Sequence, residues 1–287
     1  MLVILGIIVV FGSVLGGYLG HGGHFQVLVQ PTEYLIICGA GFGALLISAP
    51  MSVLKMIMKQ LLHSVTGKNH SKPDYVELLM LLFELCKKGK TDLLGLESHV
   101  ENPESSDIFS RYPSVLKNHH AISFICDTLK VQISSPLTPT DLEEMLDLDI
   151  RSMHEEEERA PSLVTKVGDS MPGLGIVAAV VGVIITMGKL TQGKEVIGHS
   201  VAAALVGTFL GVLLSYGLVN PLASKMEGNI SNDGAYLKVI KTALLAFAKN
   251  CSPKICVEYA RRSVPPDARP SFKDIDEGAT GAGKKAA

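Results

Sequence analysis

Two stretches in the second half of the chain, both free of charged residues, hold the side chains that suggest chemistry. Pro172 lies at the start of the first stretch, Thr208 lies inside the second, and Pro221 lies near its end. Ala179 and Thr186 follow Pro172 at intervals of seven residues, which places these three on one helix face. For each proline alone, the simpler interpretation is a helix start or stop. For Thr208, it is a hydroxyl bonded back to its own helix.

These stretches have no ionisable group at their centre, and this restricts the chemistry further. The sequence shows no nucleophile with a neighbouring base, no metal-ligand cluster and no phosphate loop, so neither an enzyme nor a metal site is predicted. A pump or channel normally carries a carboxylate or a base inside the membrane. The chain therefore either does no ion chemistry or receives its ionisable group from a partner.

Four charge-free runs determine the fold class. A bilayer core takes about 20 apolar residues per helix, and lipid leaves backbone groups no water to bond, so each run is predicted to be a membrane-spanning helix. The predicted fold is all-α, an integral membrane protein with four transmembrane helices and a helical cytoplasmic lobe. The net charge of -2 gives no sign of nucleic-acid binding. The runs are Met1–Gly20, Tyr34–Leu54, Ser170–Gly188 and Ser200–Ser224.

Charge distribution predicts the topology. The segment His21–Glu33 has no Lys or Arg, and the segment between the last two runs has only Lys189 and Lys194. Lys and Arg near span ends mark the cytoplasmic side. Both termini and the long middle segment are therefore predicted to be cytoplasmic.

The predicted domains follow from these runs. Residues 1–54 hold the first two spans with a short periplasmic loop, 55–168 the cytoplasmic lobe, 169–224 the last two spans, and 225–287 a cytoplasmic tail. In the lobe, helices are expected to start at Pro73, at Asp92 and at Pro139, and Gly89 is expected to end the first of them. The last ten residues, Gly278–Ala287, are predicted to be disordered.

Small residues recur every fourth position in three of the spans. Such stripes let helix backbones approach closely in lipid. The contacts they predict lie either inside one subunit or between subunits, and the sequence leaves both open. The stripes are Gly12, Gly16 and Gly20; Gly39 and Gly43; and Ala203, Gly207, Gly211 and Ser215.

Four segments resemble the stator A subunit of the bacterial flagellar motor, the MotA/PomA family. Residues 167–183, VGDSMPGLGIVAAVVGV, resemble its third span, and residues 206–217, VGTFLGVLLSYG, resemble its fourth. Leu96–Pro103 is similar to its cytoplasmic loop and Arg269–Phe272 to its tail. The related TolQ/ExbB subunits have three spans, so the four runs favour the motor subunit over an energiser of an outer-membrane system.

The resemblance implies a function and a set of partners. Several copies of the subunit, a pentamer in this family, surround a single-span B subunit whose intramembrane aspartate carries the ion. The cytoplasmic lobe pushes on the rotor switch protein. The resemblance therefore explains the absent carboxylate, because that group belongs to another chain. A structural scaffold that moves no ion is the remaining alternative, and the proline and threonine pattern argues against it.

The resemblance also assigns roles to individual residues. Pro172 and Pro221 match the two functional prolines of the family, and Thr208 matches the threonine that faces the partner aspartate. Ala179 replaces a threonine of sodium-driven members, which favours protons as the driving ion, and no cofactor is implied. Glu97 matches the acidic rotor-contact residue. Where the family has an arginine, this chain has Gly89 between Lys88 and Lys90, so either lysine is a candidate for the basic rotor contact.

Overall fold

The computed structural model describes residues 2–67, 69–188 and 194–279, and these residues form helices without a strand. This confirms the all-α prediction. Single 3₁₀ turns lie at Pro103–Ser105 and Phe109–Arg111, and a π-helical segment lies at Ser215–Val219. The α-helices are α1 (Leu2–Gly20), α2 (Phe25–Leu28), α3 (Pro31–Ser48), α4 (Met51–Thr66), α5 (Lys72–Thr91), α6 (Leu93–Glu101), α7 (Pro113–Leu116), α8 (His119–Ser134), α9 (Pro139–Glu157), α10 (Arg159–Met187), α11 (Lys194–Leu214), α12 (Asn220–Ala248), α13 (Pro253–Ser263) and α14 (Phe272–Ala279).

Contacts divide the chain into two units, here called the membrane unit and the lobe. The membrane unit comprises Met1–Lys68 and Glu156–Asn229, and the lobe comprises Asn69–Glu155 and Ile230–Ala287. The predicted domain boundaries after residues 54, 168 and 224 fall inside α4, α10 and α12. These helices run on past the apolar runs because a continuous helix keeps every backbone group hydrogen-bonded where the chain leaves lipid.

Four helical segments of the described chain are long and apolar enough to cross a membrane, as predicted. The second of them ends at Ser48 rather than at the predicted Leu54. The reason is Pro50, because a residue that precedes proline is biased away from helical dihedrals. Ala49 is accordingly extended, and a separate helix, α4, begins at Met51.

Proline positions in the last two spans also differ from the prediction. Pro172 was expected at the start of its span, but it lies inside α10, which begins at Arg159. Pro221 was expected to break the fourth span. Instead the chain stays helical through the π-helical segment into α12, and Pro221 is the second residue of that helix. A wider turn ahead of a proline accommodates the ring and its missing N–H without ending the helix.

Side chains of eight helices form one apolar core in the described part of the lobe. Burying a leucine side chain stabilises a fold by roughly 1.5–3 kcal/mol, so a core rich in leucine holds these short helices together. Its fully buried members include Leu78 and Leu82 of α5, Leu96 of α6, Ile125 of α8, Leu142 and Leu146 of α9, Ile240 of α12 and Ala260 of α13.

Gly89 does not end a helix, contrary to the prediction. It lies inside α5, which continues to Thr91. A Cβ at Gly89 would come within 2.7 Å of Cζ of Phe247, so this glycine lets the ring of α12 pack close to α5. The predicted start of the next helix is confirmed, since the Asp92 carboxylate caps α6 by accepting a hydrogen bond from the N–H of Gly95.

The tail differs in part from expectation. Much of the predicted tail is helical, because α12 extends into it and α13 and α14 follow. Arg261 donates to the carbonyl oxygen of Pro270 and Arg269 donates to that of Val264, so the segment that resembles the family tail is held on α13. The predicted disorder of Gly278–Ala287 falls mainly on residues 280–287, which lie outside the described residues.

Candidate functional site

The site is built on a backbone contact between α10 and α11 in the membrane unit. A Cβ at Gly175 would lie 2.7 Å from the carbonyl oxygen of Gly207 and 3.2 Å from the Cα atoms of Thr208 and Gly211. Two helices can approach this closely only where side chains are absent. The stripe of small residues in the fourth span therefore packs inside the subunit at Gly207 and Gly211.

The stripe of small residues in the first span, unlike that in the fourth, does not pack against another helix of the described subunit. No atom outside its own helix backbone would lie within 4 Å of a Cβ at Gly12, Gly16 or Gly20, among the residues that the structure describes. This stripe therefore makes no close contact within the described subunit.

Thr208 and Ala179 meet at the α10–α11 contact. Gly207, the neighbour of Thr208, would place a Cβ 3.1 Å from Cβ of Ala178 and 3.3 Å from the backbone nitrogen of Ala179. Both Thr208 and Ala179 are half-buried. The structure thus brings together two of the residues singled out in the sequence, one on each helix.

The Thr208 hydroxyl makes no hydrogen bond within the described part of the chain, whereas comparable hydroxyls of α10 bond to their own helix. Thr186 donates to the carbonyl oxygen of Gly182 at 2.8 Å, and Ser170 donates to that of Val167 at 2.7 Å. The simpler interpretation of Thr208, a hydroxyl bonded to its own helix, therefore does not describe this residue. Its hydroxyl remains available to a group outside the subunit.

Pro172 and Pro221 are joined by a polar junction. Pro172 has no N–H for the carbonyl oxygen of Gly168, four residues earlier in α10. At that level, Asn220 of α12 donates its side-chain N–H to the carboxylate of Asp169 at 2.9 Å. The other amide atom, Oδ1 of Asn220, lies against Gly168, is buried and has no partner in the described residues. Asn220 and Asp169 thus tie the segments that carry the two prolines.

The π-helical segment Ser215–Val219 directly precedes Asn220, which takes part in this junction. The N–H of Asn220 donates to the carbonyl oxygen of Ser215, five residues back, which is the π-helical pattern. The Ser215 side chain is fully buried, and its hydroxyl has no partner among the described residues. Such π-helical turns frequently lie at functional sites, because they loosen the regular helix ladder.

A buried carboxylate, that of Glu33, is the functional candidate that the sequence reasoning missed. Glu33 was assigned to a loop, but α3 begins at Pro31, so it occupies the first turn of that helix and is only 6% exposed. Its Oε2 has no hydrogen-bond partner in the described chain, and a Cβ at Gly207 would lie 2.7 Å from that oxygen. The available signal was Pro31 with an acid two residues later, a common helix start.

The lobe carries the predicted rotor-contact residues, and these residues differ in whether they bind other groups of the lobe. Glu97 is exposed on α6. Lys88 pairs with Asp92 at 3.1 Å. The hydrogen bond from the Gly95 N–H, together with this pairing, lowers the pKa of the Asp92 carboxyl. The ammonium of Lys90 donates to the carbonyl and side-chain oxygens of Asn250. Both basic candidates therefore have partners inside the lobe, whereas Glu97 has none among the residues that the structure describes.

The fold and this site define a multi-pass membrane subunit whose last two spans form a tight, weakly polar contact.

Two family models match the chain: motility protein A N-terminal over residues 4–92, and the MotA/TolQ/ExbB proton channel family over residues 118–237. Motility protein A of Escherichia coli K12 is 36% identical over 278 residues, which cover 96% of this chain and 94% of that protein. Chemotaxis protein LafT of Vibrio parahaemolyticus is 33% identical, with 95% and 96% covered.

Solved structures show the same fold. The C. jejuni MotAB structure superposes with a TM-score of 0.77 at 19% identity, covering 94% of this chain and 98% of that one. The flagellar MotAB stator complex of Bacillus subtilis gives a TM-score of 0.75 at 21% identity. The chain belongs to the MotA/PomA family of motility A proteins, and it is a stator subunit of the bacterial flagellar motor.

Proposed function

We propose that this stator subunit conducts protons together with a single-span B subunit, and that proton passage drives the lobe against the flagellar rotor. The unbonded Thr208 hydroxyl at the α10–α11 contact carries this proposal. The described residues of the four charge-free runs include no Asp, Glu, Lys, Arg or His. Within these runs the group that carries the proton then comes from another chain, and an aspartate in the span of the B subunit supplies that chemistry.

Copies of this chain surround the B subunit in the proposed assembly, with the five copies that the family implies. The open glycine face of α1 supports contacts between copies, because such a face in lipid gains stability only from a close neighbour. The two similar solved structures are MotAB structures, which supports a B-subunit partner.

The orientation proposed is an inner-membrane subunit with both termini and the lobe in the cytoplasm. The lysines and arginines of the middle and final segments support it, because positive charge near span ends stays on the cytoplasmic side. This orientation puts Glu33 at the periplasmic end of its span. Its buried, unpartnered carboxylate oxygen would then be the first acceptor a proton meets beside Gly207.

Protons rather than sodium are the proposed driving ion. Ala179 lies at the contact beside Thr208 and offers no oxygen ligand, whereas a bare hard cation needs several oxygen ligands. Transfer of a proton needs no such set of ligands and no cofactor.

Pro172 and Pro221 are proposed to convert partner protonation into a conformational step. Each removes a backbone donor from a helix, and the Asp169–Asn220 hydrogen bond joins the two weakened places.

Rotor contact is proposed for Glu97 on the exposed face of α6. The engaged states of Lys88 and Lys90 make either lysine a weaker candidate for that role.

An energiser of an outer-membrane system, as in the TolQ/ExbB relatives, is not favoured. The N-terminal family model that matches residues 4–92 is that of motility protein A, and the relatives at 36% and 33% identity carry a motility and a chemotaxis name.

The test of the proposal replaces the Thr208 hydroxyl with a methyl group of the same shape. Thr208→Val should abolish or strongly reduce swimming while the protein remains in the membrane with its B subunit. Thr186→Val is the matched control, because the Thr186 hydroxyl is bonded to its own helix and the change should leave swimming intact. Normal swimming of Thr208→Val would refute the assigned role of the hydroxyl.

A further inference from the structure

Two cysteine side chains from different helices lie together in the lobe. Cys86 lies near the end of α5, and Cys256 lies in the first turn of α13. Both are buried, and they share one cluster with Ala246, against which Cys251 also packs. Buried cysteines commonly act as small apolar side chains, so chemistry is assigned to such a pair only where its surroundings favour it.

A tight turn between α12 and α13 brings Cys256 to α5. Asn250, two residues after the end of α12, adopts a left-handed conformation with a φ of 62°, which asparagine takes more readily than most residues. The N–H of Cys251 donates to the carbonyl oxygen of Ala246 at 3.0 Å and closes the turn. The turn thus positions the first turn of α13, where Cys256 lies, against α5.

The surroundings of the two thiols differ, and this makes their chemistry unequal. Hydrogen bonding from the Cys86 thiol, opposed by burial and reinforced by the ammonium of Lys90, lowers the pKa of Cys256. The N-terminal turn of a helix also stabilises a thiolate. Hydrogen bonding to Cys256, together with burial, raises the pKa of Cys86 well above its ordinary value. Cys256 is therefore the more readily ionised thiol, and Cys86 keeps its proton.

A cleft in the surface of the lobe lies next to the pair. Its volume is about 480 Å³, and its lining includes Ala246 and Cys251. Because these two residues also pack in the cysteine cluster, one layer of side chains separates the cleft from the thiols. A small neutral oxidant needs only a local opening of this layer to reach Cys256, and such openings occur in folded proteins.

We propose that Cys86 and Cys256 form a peroxide-sensitive thiol pair that closes to a disulfide joining α5 to α13. The Cys256 thiolate attacks one oxygen of hydrogen peroxide, the O–O bond breaks, and the other oxygen takes up a proton and leaves as water. Cys256 is then a sulfenic acid. The Cys86 sulfur attacks the Cys256 sulfur, the S–O bond breaks, and the hydroxyl group leaves with the Cys86 proton as a second water.

The reaction balances in electrons and is reversible. The two thiols together lose two electrons, and the peroxide gains them. Two molecules of a small thiol reductant restore both cysteines by thiol–disulfide exchange. The pair is therefore a modification site that follows the oxidant level around the lobe.

Peptide mapping of the full chain, purified with its B subunit, tests the pair directly. The complex is treated with hydrogen peroxide, then unfolded in an alkylating reagent that blocks every remaining thiol, and digested without reduction. A peptide that links Cys86 to Cys256 should accumulate with peroxide and should disappear after treatment with dithiothreitol.

Cys126 is the matched control in the same lobe. It is buried as well, but burial raises its pKa to about 11. Because the thiolate is the reacting form, Cys126 should be oxidised about tenfold or more slowly than Cys256. Cys256→Ser should leave Cys86 unlinked, and Cys126→Ser should not change the yield of the linked peptide.

Three results on the unaltered chain would overturn the inference, so it stays testable even if Cys256→Ser fails to fold. The first is the absence of the linked peptide after peroxide treatment. The second is oxidation of Cys126 as fast as Cys256. The third is linkage of Cys251 in place of Cys86 or Cys256, because the half-buried neighbour would then be the reactive thiol.

Discussion

The α10–α11 contact predicts a sharp difference between two neighbouring glycines of α10. Gly175→Ala would place a methyl group 2.7 Å from the carbonyl oxygen of Gly207 and 3.2 Å from two Cα atoms of α11. These are backbone atoms, so no side-chain rotation relieves the overlap and the helices must separate. Gly173→Ala, two residues earlier, would meet no atom within 4 Å in the described subunit.

The magnitude follows from two opposed effects. Both changes gain up to about 1 kcal/mol of helix propensity, because alanine replaces glycine in a helix interior. Only Gly175→Ala also carries the cost of overpacking, typically about 1–3 kcal/mol. The unfolding free energy of Gly175→Ala should therefore lie about 1–3 kcal/mol below that of Gly173→Ala.

Thermal unfolding of the detergent-purified subunit measures this difference. For a chain of this size each kcal/mol shifts the midpoint by roughly 2–4 °C, so Gly175→Ala should unfold several degrees below Gly173→Ala. Swimming should also fail in Gly175→Ala, because Thr208 moves with α11. Equal unfolding temperatures would refute the close packing of the two helices at this position.

Three other changes test separate parts of the account. Pro172→Ala should restore an N–H for the Gly168 carbonyl and stiffen α10. Co-purification of the B subunit should then persist, while torque on a tethered cell falls. Full torque would leave simple helix geometry as the role of Pro172. Swimming speed should not depend on sodium concentration at fixed pH, because Ala179 provides no oxygen ligand, and a steep sodium dependence would overturn the choice of protons. Hydrogen bonds from Arg261, opposed in part by burial and reinforced by Arg262, lower the pKa of Glu258 from 4.5 to about 2. The ionised Glu258 carboxylate therefore stabilises the fold fully above pH 4.5, and this stabilisation is lost as pH falls through 2. Glu258→Gln should therefore cost about 1–2 kcal/mol in thermal unfolding at pH 7 and less at pH 3, and an equal cost at both would contradict the ion pairing.

Apolar run length gave the membrane architecture, because lipid imposes a direct constraint on span length and backbone bonding. The same runs placed helix ends poorly. Pro172 and Pro221 were interpreted as a start and a stop, yet both lie in continuous helical chain. A π-helical turn precedes Pro221, and the Asp169–Asn220 hydrogen bond joins the two segments. Local sequence does not reveal that compensation, because Asp169 and Asn220 are 51 residues apart.

The candidate site was predicted unevenly for similar reasons. The resemblance drew attention to Thr208 and Glu97, but their significance in the structure depends on what their neighbours do. Thr186 and Thr208 look alike in sequence, and only the fold shows that one hydroxyl is bonded and the other is not. Glu33 was missed because its burial comes from Gly207, more than 170 residues away.

Proton flux in reconstituted vesicles is the most direct test of the central claim. Vesicles would hold this chain alone, the B subunit alone or both, with a pH-sensitive dye inside and an imposed proton gradient. The account predicts proton flux only when both chains are present, and loss of that flux in Thr208→Val. Flux through vesicles that contain this chain alone would contradict the account.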